Sequence, residues 1–214
     1  YTKKQIKEIV DYAKKRHIKV IPEIELPGHS QAAIASYPNL SCKQKPIKVA
    51  NDWGVFKEIY CAGNDSVFIF IEDVLNEVVE LFPSNLVHIG GDEAPKFRWE
   101  NCPKCQKRIK NEGLKDEHEL QSYFIERIAN ILASKNKTII GWDEILESEI
   151  KTDAIVQSWR GFEGGIKAVK SGKKAIMSPT SNAYFDYKIS TTDLEKVYDF
   201  NPIPAGLNHH EQNL

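Results

Sequence analysis

The sequence has almost no charge imbalance. Its 29 lysines and arginines face 30 aspartates and glutamates, leaving a formal net charge of −1. That excludes a broad basic face, so neither nucleic acid nor an anionic membrane is an expected partner. No apolar run approaches the roughly 20 residues that a helix needs to cross a bilayer, so this chain is expected to hold no membrane span. The start, Tyr1-Thr2-Lys3-Lys4, has charge with no apolar stretch behind it and does not read as a secretory leader. There is no internal repeat and no low-complexity tract.

Cysteine is also scarce. The four are Cys42, Cys61, Cys102 and Cys105. Cys102-Pro103-Lys104-Cys105 is a CxxC, but no second CxxC accompanies it, so a structural zinc site lacks half of its usual pattern. Disulfides in an oxidising compartment are the expectation, with pairing left open, and four unpaired thiols are the plainer alternative. No metal and no cofactor are expected.

What is present is ordinary globular material, 41% hydrophobic and 28% charged, long enough for one domain with a sizeable core. Its organisation is strand then helix, repeated. Ile6, Ile9, Val10 and Ala13 recur at helical spacing over Lys3 to Lys15. Lys19 to Glu25 reads as a strand despite Pro22. A polar excursion from Tyr37 to Asp65 follows, long enough to suggest a functional loop. Val67 to Phe82 predicts a helix and Leu86 to Gly91 a short apolar strand. A cysteine-containing loop then leads into a helix over Glu117 to Ser134. Strands are predicted at Thr138 to Gly141, Ala154 to Ser158 and Lys174 to Ser178, with helices near Gly164 to Ser171 and Thr192 to Tyr198. Strands separated by helices pair in parallel, because a parallel return needs a crossover. Five such strands fit an α/β fold, either an open sheet or an incomplete (β/α)8 TIM barrel, which needs eight strands in about 250 residues. A chain that begins on a helix and stops in a loop favours the partial barrel.

In such folds the active site lies at the carboxyl ends of the strands. Those ends carry His29, then Gly90-Gly91-Asp92-Glu93, then Trp142-Asp143-Glu144, then Trp159-Arg160, then Tyr184-Phe185-Asp186. Acids, tryptophans, a tyrosine and a histidine therefore converge on one rim. Two glycines let the strand end bend, and two adjacent acids raise the pKa of one member, as a general acid requires. An acid there could equally be a helix N-cap, and the tryptophans ordinary core. Taken together on one rim, they read better as a carbohydrate pocket with aromatic walls.

The segments Pro22 through His29, His88 through Glu93, Gly141 through Leu146, and Tyr184-Phe185-Asp186 resemble, in order, the signature segments of family 20 glycoside hydrolases, the β-N-acetylhexosaminidases. One local departure is Glu25, where the family often has aspartate. The resemblance implies that residues 1–214 are a single incomplete catalytic domain holding approximately strands 3 to 7 of the barrel. Strands 1, 2 and 8 and an N-terminal accessory domain would lie outside it. It implies retaining, substrate-assisted hydrolysis of terminal non-reducing N-acetylhexosamine through an oxazolinium intermediate. Glu93 would be the general acid and then base, and Asp92 would bind the acetamido N–H. Tyr184 would donate to the acetamido oxygen, Trp142 and Trp159 would wall the pocket, Asp186 would bind a sugar hydroxyl, and His29 would sit beside the acid. His88 is read as a satisfied histidine beneath the site.

The implied partner is a glycan ending in N-acetylglucosamine or N-acetylgalactosamine. Association through exposed barrel edges, and a periplasmic, cell-surface or secreted location, are further expectations. The main rival is a non-catalytic carbohydrate-binding barrel, which would have no need of Asp92, Glu93 and Tyr184. A metal-dependent hydrolase built on His88, Asp92 and Glu93 is a second rival, disfavoured because adjacent residues rarely chelate together.

Overall fold

The computed structural model describes residues 1–188, 190 and 193–214. Five strands form one parallel sheet in the order of the chain: β1 (Glu23–Leu26), β2 (Leu86–Gly90), β3 (Thr138–Trp142), β4 (Ala154–Ser158) and β5 (Lys174–Met177). Sequential order is that of a barrel wall. A doubly wound sheet would reverse its order part-way. The architecture is thus α/β, a partial (β/α)8 barrel.

Local sequence explains the helices between these strands. The helix Lys3–Lys14 starts at a capping box, in which Thr2 accepts from the Gln5 N–H and the Gln5 side chain accepts from the Thr2 N–H. Helix Asp65–Leu81 is capped by Asn64, and helix Glu117–Ala133 by Asp116, which accepts from the N–H groups of His118 and Glu119 at 2.9 and 3.0 Å. Such a cap contributes about 1 kcal/mol. Helix Glu163–Lys170 joins β4 to β5.

The core lies between the outer helices and the sheet. Val87 and Ile89 of β2, Ile139 of β3, and Ala154 and Val156 of β4 are buried with Ile71, Leu75, Leu120, Phe124 and Ile128 from the two long helices. The alternation of a strand sends the intervening residues to the opposite face. Glu23, Glu25, His88, Ile140 and Trp142 take that inner face, so the concave side of the wall is polar at its carboxyl end.

Several boundaries differ from the sequence reading. The first strand begins at Glu23, not Lys19, and its register with β2 shifts between Glu23 and Leu26. Pro22 lies just outside it, and its carbonyl accepts from the His88 N–H at 2.9 Å. The cysteine loop contains a ten-residue helix, Pro103–Glu112, hidden in the sequence because only Cys105 and Ile109 are buried on it. The last helix is Leu194–Tyr198, and the Thr192 start expected for it lies outside the described residues. No helix among the described residues is long and apolar enough to cross a membrane.

Candidate active site

The end of β2 shows how two neighbouring acids come to face one point. In extended chain, successive side chains point to opposite faces. Here Gly90 and Gly91 have φ of 69° and 100°, and Glu93 has φ of 43°, so the backbone curls instead of alternating. Asp92 and Glu93 consequently both reach His29. Its Nε2 lies 3.2 Å from Asp92 Oδ2 and 3.3 Å from Glu93 Oε2. His29 is itself in the left-handed region at φ 47°, on the turn that leaves β1. Gly28 permits the meeting: a Cβ there would stand 2.8 Å from the Asp92 carbonyl oxygen. From the other side, Gln121 of the helix Glu117–Ala133 donates to the Gly91 carbonyl at 2.7 Å and also contacts the Lys96 ammonium.

Glu25, on the strand before them, is pushed up to about 9 by burial first, then by the charges of Asp92 and Glu23. Like-charge pairing does operate here, but across strands, between Glu25 and Asp92. Among the described residues Glu25 Oε2 and Asp92 Oδ1 are both buried without a hydrogen-bond partner, and a proton held on Glu25 would supply a donor between them. The sequence reading treated Glu25 only as a departure from aspartate. Its position two residues after Glu23, on the same face of β1, was the available signal.

Beneath this group, His88 is buried, and its Nδ1 lies 3.1 Å from both Glu23 Oε1 and the Gly90 nitrogen. With the hydrogen on Nδ1 it donates to Glu23; with the hydrogen on Nε2 it accepts from Gly90. Glu23 also accepts from Trp142 Nε1 at 3.1 Å, and the His88 and Trp142 rings meet edge to face at 4.9 Å. The His88 contact, reinforced by Trp142, holds the Glu23 carboxyl below its ordinary pKa. Glu23 was another residue the sequence reading missed.

The second tryptophan belongs to a separate arm. Trp159 Nε1 donates to both oxygens of Glu144, at 3.2 and 3.0 Å, and its ring stacks on Tyr184 with centroids 6.2 Å apart. Burial pushes Glu144 up to about 7 against the opposing pull of Trp159 and Arg160. Tyr184 is pushed up to about 12, by burial and then by the charges of Asp186 and Asp92, so its hydroxyl keeps its hydrogen throughout the neutral range. A hollow of about 470 Å³ joins Glu93, Lys96, Gln121, Glu144 and Arg160. Trp142 and Trp159 do not line it, and Trp159 meets it only through Glu144. Asp186 is exposed and acts on the group through its charge on Tyr184.

Two carboxylate oxygens meeting one imidazole nitrogen, a phenol that keeps its hydrogen and indoles fixed by carboxylates make an arrangement that can exchange protons and hold amides and hydroxyls. The comparisons with known proteins identify the family. Residues 1–213 match the glycosyl hydrolase family 20 catalytic domain. The chain belongs to that family. A beta-hexosaminidase of Porphyromonas gingivalis is 50% identical over 219 residues, covering 97% of this chain and 28% of that protein. The crystal structure of a Flavobacterium johnsoniae chitobiase superimposes with a TM-score of 0.90 at 33% identity, covering 100% of this chain and 33% of that one. A family 20 exo-β-N-acetylglucosaminidase from Vibrio harveyi, solved in complex with N-acetylglucosamine, gives a TM-score of 0.84 at 28% identity, over 99% of this chain and 36% of that one. The chain therefore spans well under half the length of these family 20 relatives.

Proposed function

We propose that this chain is the catalytic part of an enzyme that removes terminal non-reducing N-acetyl-D-hexosamine from β-N-acetylhexosaminides, with retention of configuration. The observation that carries the proposal is the convergence of Asp92 and Glu93 on His29, beside the buried Glu25 carboxyl, in a member of family 20. In this reading the acetamido carbonyl oxygen of the substrate attacks C1 while the glycosidic C–O bond breaks. Glu93, in its acid form, gives its proton to the leaving oxygen. Asp92 accepts the acetamido N–H and balances the positive charge of the oxazolinium, placing charge where charge develops. Tyr184 donates to the acetamido oxygen. Glu93 then takes a proton from water as that water attacks C1, and the acetamido group is restored. Holding a flexible acetamido group over C1 makes it an intramolecular nucleophile, because its freedom is lost on binding and not in the reaction.

Trp142 and Trp159 supply apolar walls for the sugar, Asp186 a hydroxyl contact, and His29, through its Nε2, a neighbour that helps set the protonation of the acid. The substrate class is a glycan ending in N-acetylglucosamine or N-acetylgalactosamine, met outside the cytoplasm. Among the described residues, β1 and β5 each leave one edge of the sheet without a strand partner. In the proposal those edges close against further strands of a longer protein, and pairing of two copies through them is the competing outcome.

The test is hydrolysis of nitrophenyl N-acetyl-β-glucosaminide and galactosaminide, first by this chain and then by a longer protein that closes the barrel. Turnover by the longer protein, inhibited by a thiazoline mimic of the intermediate, supports the proposal. A folded longer protein that binds N-acetylglucosamine but turns over neither substrate would establish the non-catalytic sugar-binding barrel instead.

A further inference from the structure

Four cysteines far apart in sequence meet outside the active site. Cys42 and Cys61 come from the excursion after β1, and Cys102 and Cys105 from the segment after β2. All four sulfurs lie within 4.8 Å of one another. The separations Cys42–Cys105, Cys61–Cys102 and Cys61–Cys105 are 3.8, 3.7 and 3.7 Å. A tetrahedron of thiolates around zinc, with Zn–S of about 2.3 Å, has edges of about 3.8 Å by simple geometry. Disulfide pairing would divide four cysteines into two couples at bonding distance. Here Cys61 is equally near Cys102 and Cys105, and Cys105 is also beside Cys42, so no pairing is singled out. All four are free thiols, contrary to the disulfides expected from the sequence.

The backbone around the sulfurs is built for close approach. Ser41 and Tyr60 form an antiparallel bridge, which places Cys42 and Cys61 diagonally across it on one face, and the Cys61 N–H donates to the Leu40 carbonyl at 2.9 Å. Gly63 lies on the turn of the CxxC: a Cβ there would stand 2.2 Å from the Lys104 carbonyl carbon and 2.4 Å from the Cys105 nitrogen. Cys61, Cys102 and Cys105 are at most 3% exposed. The CxxC opens the ten-residue helix Pro103–Glu112, whose positive end favours thiolate.

We propose that Cys42, Cys61, Cys102 and Cys105 bind one structural zinc ion, replacing the expectation of no metal. Binding exchanges four S–H bonds for four Zn–S bonds and releases four protons. Four protein ligands close the coordination sphere, so the ion does no chemistry on substrate. It staples the excursion after β1 to the segment that follows Asp92 and Glu93. The same two segments are joined by Arg98 donating to Glu58 at 2.8 Å and by Trp99 Nε1 donating to the Tyr60 carbonyl at 2.9 Å. The excursion also brings Val55 to the hollow that contains Glu93.

The protein, purified without reductant or chelator from zinc-supplemented medium, is assayed by elemental analysis and thiol titration. About one zinc per chain is expected, with the thiols unreactive in the native state and all four titrating in denaturant with chelator. Cobalt substituted for zinc should give the intense thiolate-to-cobalt absorption of a tetrahedral four-sulfur site. Cys42→Ser, at the half-buried ligand, should lower zinc retention by roughly tenfold or more while the far-ultraviolet spectrum is kept. Loss of all four titratable thiols to disulfides would overturn the proposal. So would iron at stoichiometric level in place of zinc, or native thiols that react freely after incubation with zinc. Because none of these readouts uses activity, the result is independent of the glycosidase assignment.

Discussion

Glu25 stands beside Asp92 across two strands, and the two share the need for one proton: the Glu25 carboxyl is pushed up to about 9, while each residue has one buried oxygen without a donor. The consequence for stability has a definite sign. The folded-state pKa is raised above the unfolded value, so the folded chain keeps a proton that the unfolded chain gives up. The contribution of Glu25 to stability is then greatest below the ordinary carboxylate range and falls as pH rises from about 4.5 toward about 9, levelling beyond it. Glu25→Gln keeps a neutral donor beside Asp92 and removes the titration. The melting temperature of the variant relative to the native chain should climb steadily between about pH 5 and pH 9. Asp92→Asn, which removes the neighbouring charge, should flatten the native slope. A difference between Glu25→Gln and the native chain that does not change with pH would rule out the shared proton.

The roles assigned to the adjacent acids separate by leaving group. In the longer protein with a closed barrel, Glu93→Gln should cut kcat/KM for a disaccharide by about 10²- to 10⁴-fold, the usual worth of a general acid. Nitrophenyl substrates, whose leaving oxygen needs little protonation, should lose much less. Asp92→Asn should cost about 10²- to 10³-fold on both kinds of substrate, since the oxazolinium charge and the acetamido orientation are common to both. Kinetics on the two substrates side by side would show the contrast. Full activity in Asp92→Asn would remove the acetamido role from that residue.

The strand-helix alternation is legible because the long helices carry an apolar face and the short apolar strands lie between them, and β4 is read at its true bounds, Ala154–Ser158. β1 was drawn too long because Lys19 to Ile21 has strand-like side chains, yet Pro22 lacks an N–H and pairing starts only at Glu23. In the site, His29, Asp92 and Glu93 could be picked out because they sit at strand ends with distinctive neighbours. Glu23 and Glu25 could not, because an acid on a strand declares its role only through what lies across the sheet: His88 and Trp142 for one, Asp92 for the other. The cysteines show the same limit. A single CxxC gave no hint that Cys42 and Cys61, separated from it by a full strand-helix unit, would close around it.

Gly28 tests how closely the turn after β1 must approach the acids. A Cβ would stand 2.8 Å from the Asp92 carbonyl oxygen and 3.3 Å from that of Glu93, and backbone cannot swing aside as a flexible side chain can. Gly28→Ala should therefore cost about 1–3 kcal/mol in denaturant unfolding, the usual range for overpacking. It should also move His29 off the two carboxylates, so that in the closed barrel kcat falls more than KM rises. Unchanged stability together with unchanged kcat would mean that the approach of the two turns is not required.

Glu23 carries the last prediction, because it connects a buried histidine to an aromatic wall. Its carboxylate meets His88 Nδ1 and Trp142 Nε1, each at 3.1 Å, and its pKa is lowered mainly by the His88 contact. A depressed carboxylate stabilises the fold above the ordinary range and loses that contribution as pH falls through its folded-state value. Glu23→Ala takes a partner from the indole and from the imidazole, whose Nε2 is already buried without one. Leaving such groups unmet costs about 1–3 kcal/mol. The freed Trp142 ring should turn toward water, shifting tryptophan emission to the red. In the closed barrel the main kinetic effect should be a rise in KM, since the role proposed for Trp142 is to orient sugar and not to transfer a proton. Glu23→Gln, which can still accept from the indole, should restore most of the emission shift, and failure of that rescue would mean that Trp142 is held by packing alone.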